Sequence, residues 1–230
     1  MSPLPRPEQI RDFGCFIDHF RNARARFRAF RSARSNSPRF SSSARSTTVA
    51  NRLSVTGHEA DVKWPAYSTV RDYELEFACI LGRGGADIPR EHAHDHIFGT
   101  PSSTTSVPGH PTRGDLDRSR AQQEQGLRQL KCAGPWIVTT DELDDPYRLQ
   151  MVARINGEEV SRGTSADMHH TFADMITFAS SSTQLYAGEV LCSGTVPTGC
   201  GLEHGRYLEP ADVVELEVSG IGILRNRVMA

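Results

Sequence analysis

Glu74 and Glu76 stand two residues apart in D-Y-E-L-E-F-A-C-I-L, where Tyr73, Leu75, Phe77 and Cys79 fill the alternate positions. A period of two is that of a strand, so both carboxylates leave the backbone on one side and repel each other. A proton or a cation between them relieves the repulsion, and hard oxygen donors suit Mg²⁺, Ca²⁺ or Mn²⁺ better than zinc. The same spacing also belongs to the solvent face of a half-buried strand, so spacing alone leaves both readings open.

Composition narrows the classes. A net charge of −2 over 230 residues predicts no general attraction to nucleic acid or anionic membranes. The five cysteines form no C-x-x-C pair, which suits a reducing compartment and argues against zinc ribbons and redox dithiols. No apolar run approaches the roughly 18 residues of a membrane span, and the Pro-rich start lacks a signal-peptide core, so a cytoplasmic protein is expected. From His19 to His58 there is no Asp or Glu, while Arg21, Arg24, Arg26, Arg28, Arg31, Arg34, Arg39, Arg45 and Arg52 accumulate among Ser and Ala. Such a block reads as solvated coil. A nucleic-acid arm is the weaker reading, since Lys63 and Lys131 are the only lysines and aromatics within the tract are few.

The elements that must hold the two glutamates form one α+β domain rich in strands. Ile10, Phe13, Phe16, Ile17 and Phe20 are spaced by threes and fours and predict a short amphipathic helix within an N-terminal segment, residues 1–28. An Arg/Ser coil is expected over 29–52 and the main domain over 53–230, irregular at 100–134. Ile88 to Gly99 predicts a turn, a short helix opened by Pro89 and a new strand. From Thr100 the period disappears in T-P-S-S-T-T-S-V-P-G-H-P-T-R-G-D, which predicts a loop. Trp136 to Thr140 is strand-like, and Leu149 to Ile155 followed by Asn156-Gly157 predicts a hairpin. A helix is expected over Thr171 to Ala179, with turns feeding strands near Val190 and Val213.

The segments D-Y-E-L-E-F-A-C-I-L-G, I-P-R-E-H-A-H-D-H-I-F-G, G-P-W-I-V-T-T-D-E-L, S-G-T-V-P-T-G-C-G-L-E and L-E-P-A-D-V-V-E-L-E-V-S-G-I-G-I-L-R-N-R-V occur in this order. Together they resemble the catalytic C-terminal domain of the fumarylacetoacetate hydrolase family. The resemblance implies a strand-rich roll of packed β-sheets with short helices, a homodimer, and a divalent cation (Mg²⁺, alternatively Ca²⁺ or Mn²⁺) holding a small diketo- or oxo-acid substrate. It implies Asp12, Glu74 and Glu76 as metal ligands and His19, seven residues after Asp12, as general base. Glu203 is implied as the carboxylate that orients the histidine, and Thr195 as a substrate contact. Two turns of one helix would put Asp12 and His19 on nearly the same face. The implied activity is hydrolysis or lysis of a carbon–carbon bond, and relatives of this fold also decarboxylate, isomerise and hydrate.

One stretch departs from the family pattern. After H-I-F-G the family continues with a strand like Y-T-x-x-N-D-x-S-A-R-D, whose first aspartate is the last metal ligand, then a glycine-rich loop with a substrate lysine. The codons TAC ACC ATC TTC AAC GAC TTC AGT GCC AGG encode Y-T-I-F-N-D-F-S-A-R and, read one nucleotide later, the T-P-S-S-T-T-S-V-P-G that begins at Thr100. Residues from Thr100 to about Cys132 are therefore expected to be translated out of frame, with Asp115 or Asp117 as weak substitutes for the lost ligand. A missing central strand would expose strand edges and lower stability. Two readings follow: a metal-dependent hydrolase or lyase of impaired activity, or a catalytically inactive remnant that keeps part of the fold.

Overall fold

The computed structural model describes residues 1–31, 47–64, 70–108 and 130–229. In chain order the first elements are β1 (Ile10–Phe13), α1 (Ile17–Arg31), β2 (Thr47–Ala50), β3 (Val55–Gly57), β4 (Asp61–Lys63), β5 (Arg71–Leu81) and β6 (Ile97–Pro108). Then come β7 (Leu130–Thr139), β8 (Gln150–Ile155), β9 (Glu158–Thr164), α2 (Phe172–Ser180), β10 (Val190–Cys192), α3 (Gly201–His204), β11 (Val213–Val218) and β12 (Gly222–Met229). Short 3-10 segments lie at Arg90–His96 and Ser165–Asp167.

Two sheets carry the fold. The larger has the order β2-β1-β10-β5-β6-β7-β3, the smaller β4-β12-β11-β8-β9. They pack face to face through β12 on β7 and β11 on β6. Between them lies the main core, to which β5 gives Tyr73, Leu75, Phe77, Cys79 and Leu81, while β8 and β11 give Met151, Ala153, Ile155, Leu216 and Val218. Helix α2 closes one side with Phe172, Met175 and Ile176, spaced for one helical face. Its start is fixed by a capping box in which Thr171 and Asp174 exchange hydrogen bonds. The β8–β9 hairpin turns on Asn156 and Gly157, both at positive φ (53° and 81°), as the Asn-Gly pair predicts.

Several expectations need correction. Ile10–Phe13 is a strand, not the first turn of a helix, and α1 starts only at Ile17. The strand wins because β1 has partners on both sides, β10 in parallel and β2 antiparallel. Ile10 and Phe13, three apart, then point to opposite faces and enter different apolar clusters. Asp12 and His19 consequently sit on different elements. The Arg/Ser coil is helix at 29–31 and strand at 47–50, and residues 32–46 lie outside the described part.

The loop expected from Thr100 is a strand as far as Pro108, paired with β5 on one side and β7 on the other. Neighbours with unpaired backbone on both flanks impose extended structure on a segment that lacks apolar alternation. The low stability argued from a missing central strand therefore loses its premise. Pro101, which has no N–H to donate, falls where the β6–β7 register shifts, between Thr100 and Ser102. Asp115 and Asp117 lie outside the described residues.

Candidate active site

The alternation of β5 decides where charge goes. One face enters the apolar core; the other carries Asp72, Glu74 and Glu76 in steps of about 7 Å, followed by Ala78 and Ile80. This second face is not solvent. Asp72 and Glu76 are buried and Glu74 is half-buried, because β5 lies in the middle of the larger sheet and is covered on both sides. At the Glu76 end, Lys131 of β7 reaches across and donates to Glu76 Oε2 at 3.2 Å and to Asp12 Oδ2 of β1 at 2.7 Å. The three side chains are 0, 12 and 3 % exposed for Glu76, Asp12 and Lys131.

The electrostatics follow from that burial. Removal from water and the neighbouring charges of Glu76 and Asp12 push the Glu74 carboxyl well up, against the pull of Lys131. Glu76 is raised by burial and by Asp12, and is held down by Lys131 and by its hydrogen bond with Glu74. Their mutual hydrogen bond favours the protonated form of Glu74 and the charged form of Glu76. Burial alone would discharge Lys131, but Asp12 and Glu76 outweigh it and hold the ammonium charged, well above the usual lysine range. Removing either partner of such a buried ion pair costs on the order of 3–5 kcal/mol, because an uncompensated charge is left behind.

Asp12, Glu74 and Glu76 thus meet in one cluster, yet the cation between two of them is the chain's own. Hard divalent ions bind carboxylate oxygens at about 2.0–2.6 Å, and one placed on Asp12 Oδ2 and Glu76 Oε2 would lie against the Lys131 ammonium. At roughly 4 Å and an effective dielectric of 20, a dication and an ammonium repel by about 8 kcal/mol. Among the described residues, the three side chains whose donor atoms all lie within 4.8 Å of one another are His19, Cys200 and Glu203; the three carboxylates, two of them joined through Lys131, are spaced more widely than that. As it stands, the carboxylate cluster does not fit the divalent ion that the resemblance implies.

The other end of the β5 face builds the histidine pair. After β10 the chain continues antiparallel to β5, with Ser193 N–H donating to the Phe77 carbonyl, Val196 N–H to that of Leu75, and Cys200 bridging Glu74. Gly194 allows this path: its φ is +75°, and any side chain there would strike the Phe13 carbonyl of β1. Thr195 follows directly and is buried at 4 % exposure. Asp72 then accepts from the N–H groups of Gly201 (2.6 Å) and Leu202 (2.9 Å), anchoring the start of α3. Burial pushes its carboxyl up to about 6 despite those donors and the one from Tyr73.

Within the single turn of α3, Glu203 Oε1 comes to 3.2 Å from His19 Nδ1 of α1, with side chains only 2 and 13 % exposed. The contact is in ion-pair range without hydrogen-bond geometry, and neither Glu203 oxygen has another hydrogen-bond partner among the described residues. A small rotation of either side chain would complete the bond. Glu74 lies between the two ends of the face, hydrogen-bonded through its side chain to Glu76 and bridged through its backbone to Cys200. The predicted residues therefore fall into a carboxylate–ammonium end (Asp12, Glu76), a histidine end (His19, Glu203) and Glu74 between them.

Three participants escaped the sequence reading. Asp72 shares the E-x-E face two residues earlier, and that alternation was the available signal. Lys131 and Cys200 had none, because neither stands in a spacing that predicts contact with Asp12 or His19.

Comparison with known proteins agrees with this architecture. The profile described as "Fumarylacetoacetate (FAA) hydrolase C-terminal" matches residues 10–229. The oxaloacetate tautomerase YisK of Bacillus subtilis is 31% identical over 181 residues, covering 76% of this chain and 58% of that protein. Maleylpyruvate hydrolase of Aquipseudomonas alcaligenes is 31% identical over 153 residues, covering 66% of this chain and 49% of its own length. The chain thus spans about half to three-fifths of these relatives. Fumarylacetoacetate hydrolase of Exiguobacterium antarcticum superposes with a TM-score of 0.78 at 27% identity, covering 100% of this chain and 77% of that one. With the two-sheet roll, the strand-borne glutamates and the buried histidine pair in place, the chain belongs to the fumarylacetoacetate hydrolase family.

Proposed function

We propose that the chain is a hydrolase or lyase that cleaves a carbon–carbon bond in a small diketo- or oxo-acid, with His19 as general base. The observation that carries this reading is the buried His19–Glu203 contact, 3.2 Å between two elements far apart in sequence. Burying an imidazole and a carboxylate without further hydrogen-bond partners costs stability, and proton transfer is what such a pair can perform. The printed activities of two relatives, a tautomerase of oxaloacetate and a hydrolase of maleylpyruvate, point to oxo-acids.

In the proposed reaction His19 takes a proton from water while the water oxygen adds to a substrate carbonyl carbon. The adjacent carbon–carbon bond then breaks, its electron pair leaves as an enolate, and the proton returns from His19 to that carbon. Glu203 holds the imidazole tautomer and steadies its positive charge between the two transfers. Thr195 supplies a hydroxyl contact to the substrate, and Asp72 keeps Glu203 in place by anchoring α3. The divalent ion expected with Asp12, Glu74 and Glu76 has no part in these steps, because Lys131 holds two of those carboxylates.

A second reading, a family remnant without turnover, is favoured by that same lysine, which closes the carboxylate end. A panel of acylpyruvate, fumarylacetoacetate, maleylpyruvate and oxaloacetate separates the two. Product formed in proportion to enzyme from any diketo-acid supports cleavage. Tautomerisation of oxaloacetate alone would replace cleavage with proton shuttling at the same pair, and no change in any of the four supports the remnant.

A further inference from the structure

We propose that the Lys131 ammonium is the resident cation of the Asp12–Glu76 pair, standing where a hard divalent ion would otherwise bind, so that the cluster does not take up such ions. Geometry carries the argument. Nζ lies 2.7 Å from Asp12 Oδ2 and 3.2 Å from Glu76 Oε2, both charge-assisted hydrogen-bond distances, and the side chain is 3% exposed. It cannot readily swing away. Its backbone is paired on both sides, with Val55 of β3 in parallel and Thr105 of β6 antiparallel, so the side chain leaves from a fixed point, and its burial restricts the rest.

The donor count points the same way. Strand β6, which neighbours β5 and faces Glu74 and Glu76 at Thr105 and Ser103, carries no Asp or Glu anywhere from Thr100 to Pro108. The cluster has gained one positive charge inside it and receives no acidic ligand from the adjacent strand. Both changes lower its attraction for a dication relative to a set of carboxylates alone. The spacing is also that of an ammonium: an N–H···O contact needs oxygens farther from the central atom than a Mg²⁺ or Mn²⁺ ligand shell does. An internal ammonium is permanent, needs no free ion and is indifferent to chelators. This inference is independent of which oxo-acid, if any, the chain turns over.

Mn²⁺ is the probe, followed by the loss of its free-ion electron paramagnetic resonance signal in the presence of the full-length protein. The wild type is expected to leave the signal unchanged up to about 1 mM Mn²⁺, and Lys131→Met to bind at least about tenfold more tightly. Glu76→Gln in the Lys131→Met background should abolish the gained binding, which assigns it to this cluster. Mn²⁺ binding by the wild type that Glu76→Gln or Asp12→Asn removes would overturn the proposal. Should Lys131→Met fail to fold, the wild type compared with Glu76→Gln still decides. Circular dichroism of each variant separates loss of fold from loss of binding.

Discussion

Asp72 and Asp174 are both carboxylates at helix starts, yet their charges act on stability in opposite directions. Asp72 is held up at about 6 against 3.8, chiefly by burial, so folding takes up a proton. Its contribution is full below about pH 4 and is lost as pH rises through about 6, by on the order of 2–3 kcal/mol. Asp72→Asn, which keeps an acceptor oxygen, should flatten that slope in denaturant titrations between pH 4 and 6. Asp72→Ala should instead cost about 1–3 kcal/mol at all pH values, by leaving the Gly201 and Leu202 N–H groups without an acceptor. For Asp174 burial would raise the carboxyl, but the Arg90 guanidinium and the Thr171 backbone and hydroxyl outweigh it and bring it to about 2 from 3.8. That contribution is present above about pH 4 and disappears as pH falls through about 2. With Asp174 30% and Arg90 62% exposed, solvent screening limits Asp174→Asn to a loss of about 1–2 kcal/mol near neutrality. A Tm for Asp174→Asn equal to that of the wild type at pH 7 would contradict the assignment.

Legibility in the sequence depended on whether an element carried its own pattern. The alternation of β5, the Asn-Gly turn of the β8–β9 hairpin and the single apolar face of α2 are local signals, and each appears where its pattern predicts. Strand β1 was misread because four residues with Ile10 and Phe13 at the ends satisfy a spacing of three as well as a strand does; its pairing with β10 and β2, far away in sequence, decides the matter. Strand β6 was misread for the opposite reason. Ser, Thr and Pro show no period, and the strand exists because β5 and β7 flank it. A strand held by its neighbours, with Pro101 at a register shift, should be the weak point of the larger sheet. Amide exchange of Ser102 to Ser106 is expected to be faster than that of Leu75 to Cys79, and equal protection would count against this account. The out-of-frame origin proposed for Thr100 to about Cys132 remains a statement about the gene. Resequencing that finds no alternative frame encoding the family-like strand would end it. The His19–Glu203 contact and the convergence of Asp12 and Glu76 on one cluster were legible only through resemblance, while Lys131, which joins those two carboxylates in the stretch where that resemblance fails, was not legible at all.

At the scale of the molecule, two sheets packed face to face place acidic residues from β1 and β5 and a lysine from β7 at one end of a buried face, and a histidine and glutamate from two helices at the other. No helix of the described residues is long and apolar enough to cross a membrane. The homodimer implied by the family is a proposal that sedimentation equilibrium tests: twice the monomer mass is expected, and monomer mass at all concentrations would reject it. The central claim is that His19, steadied by Glu203, moves the proton in oxo-acid cleavage without a metal step. The most direct test is acylpyruvate cleavage by the wild type and by His19→Gln, both in excess chelator. The account predicts turnover by the wild type and a loss of about 100-fold or more in His19→Gln. Equal rates in the two proteins, or wild-type cleavage that stops when chelator is added, would contradict it.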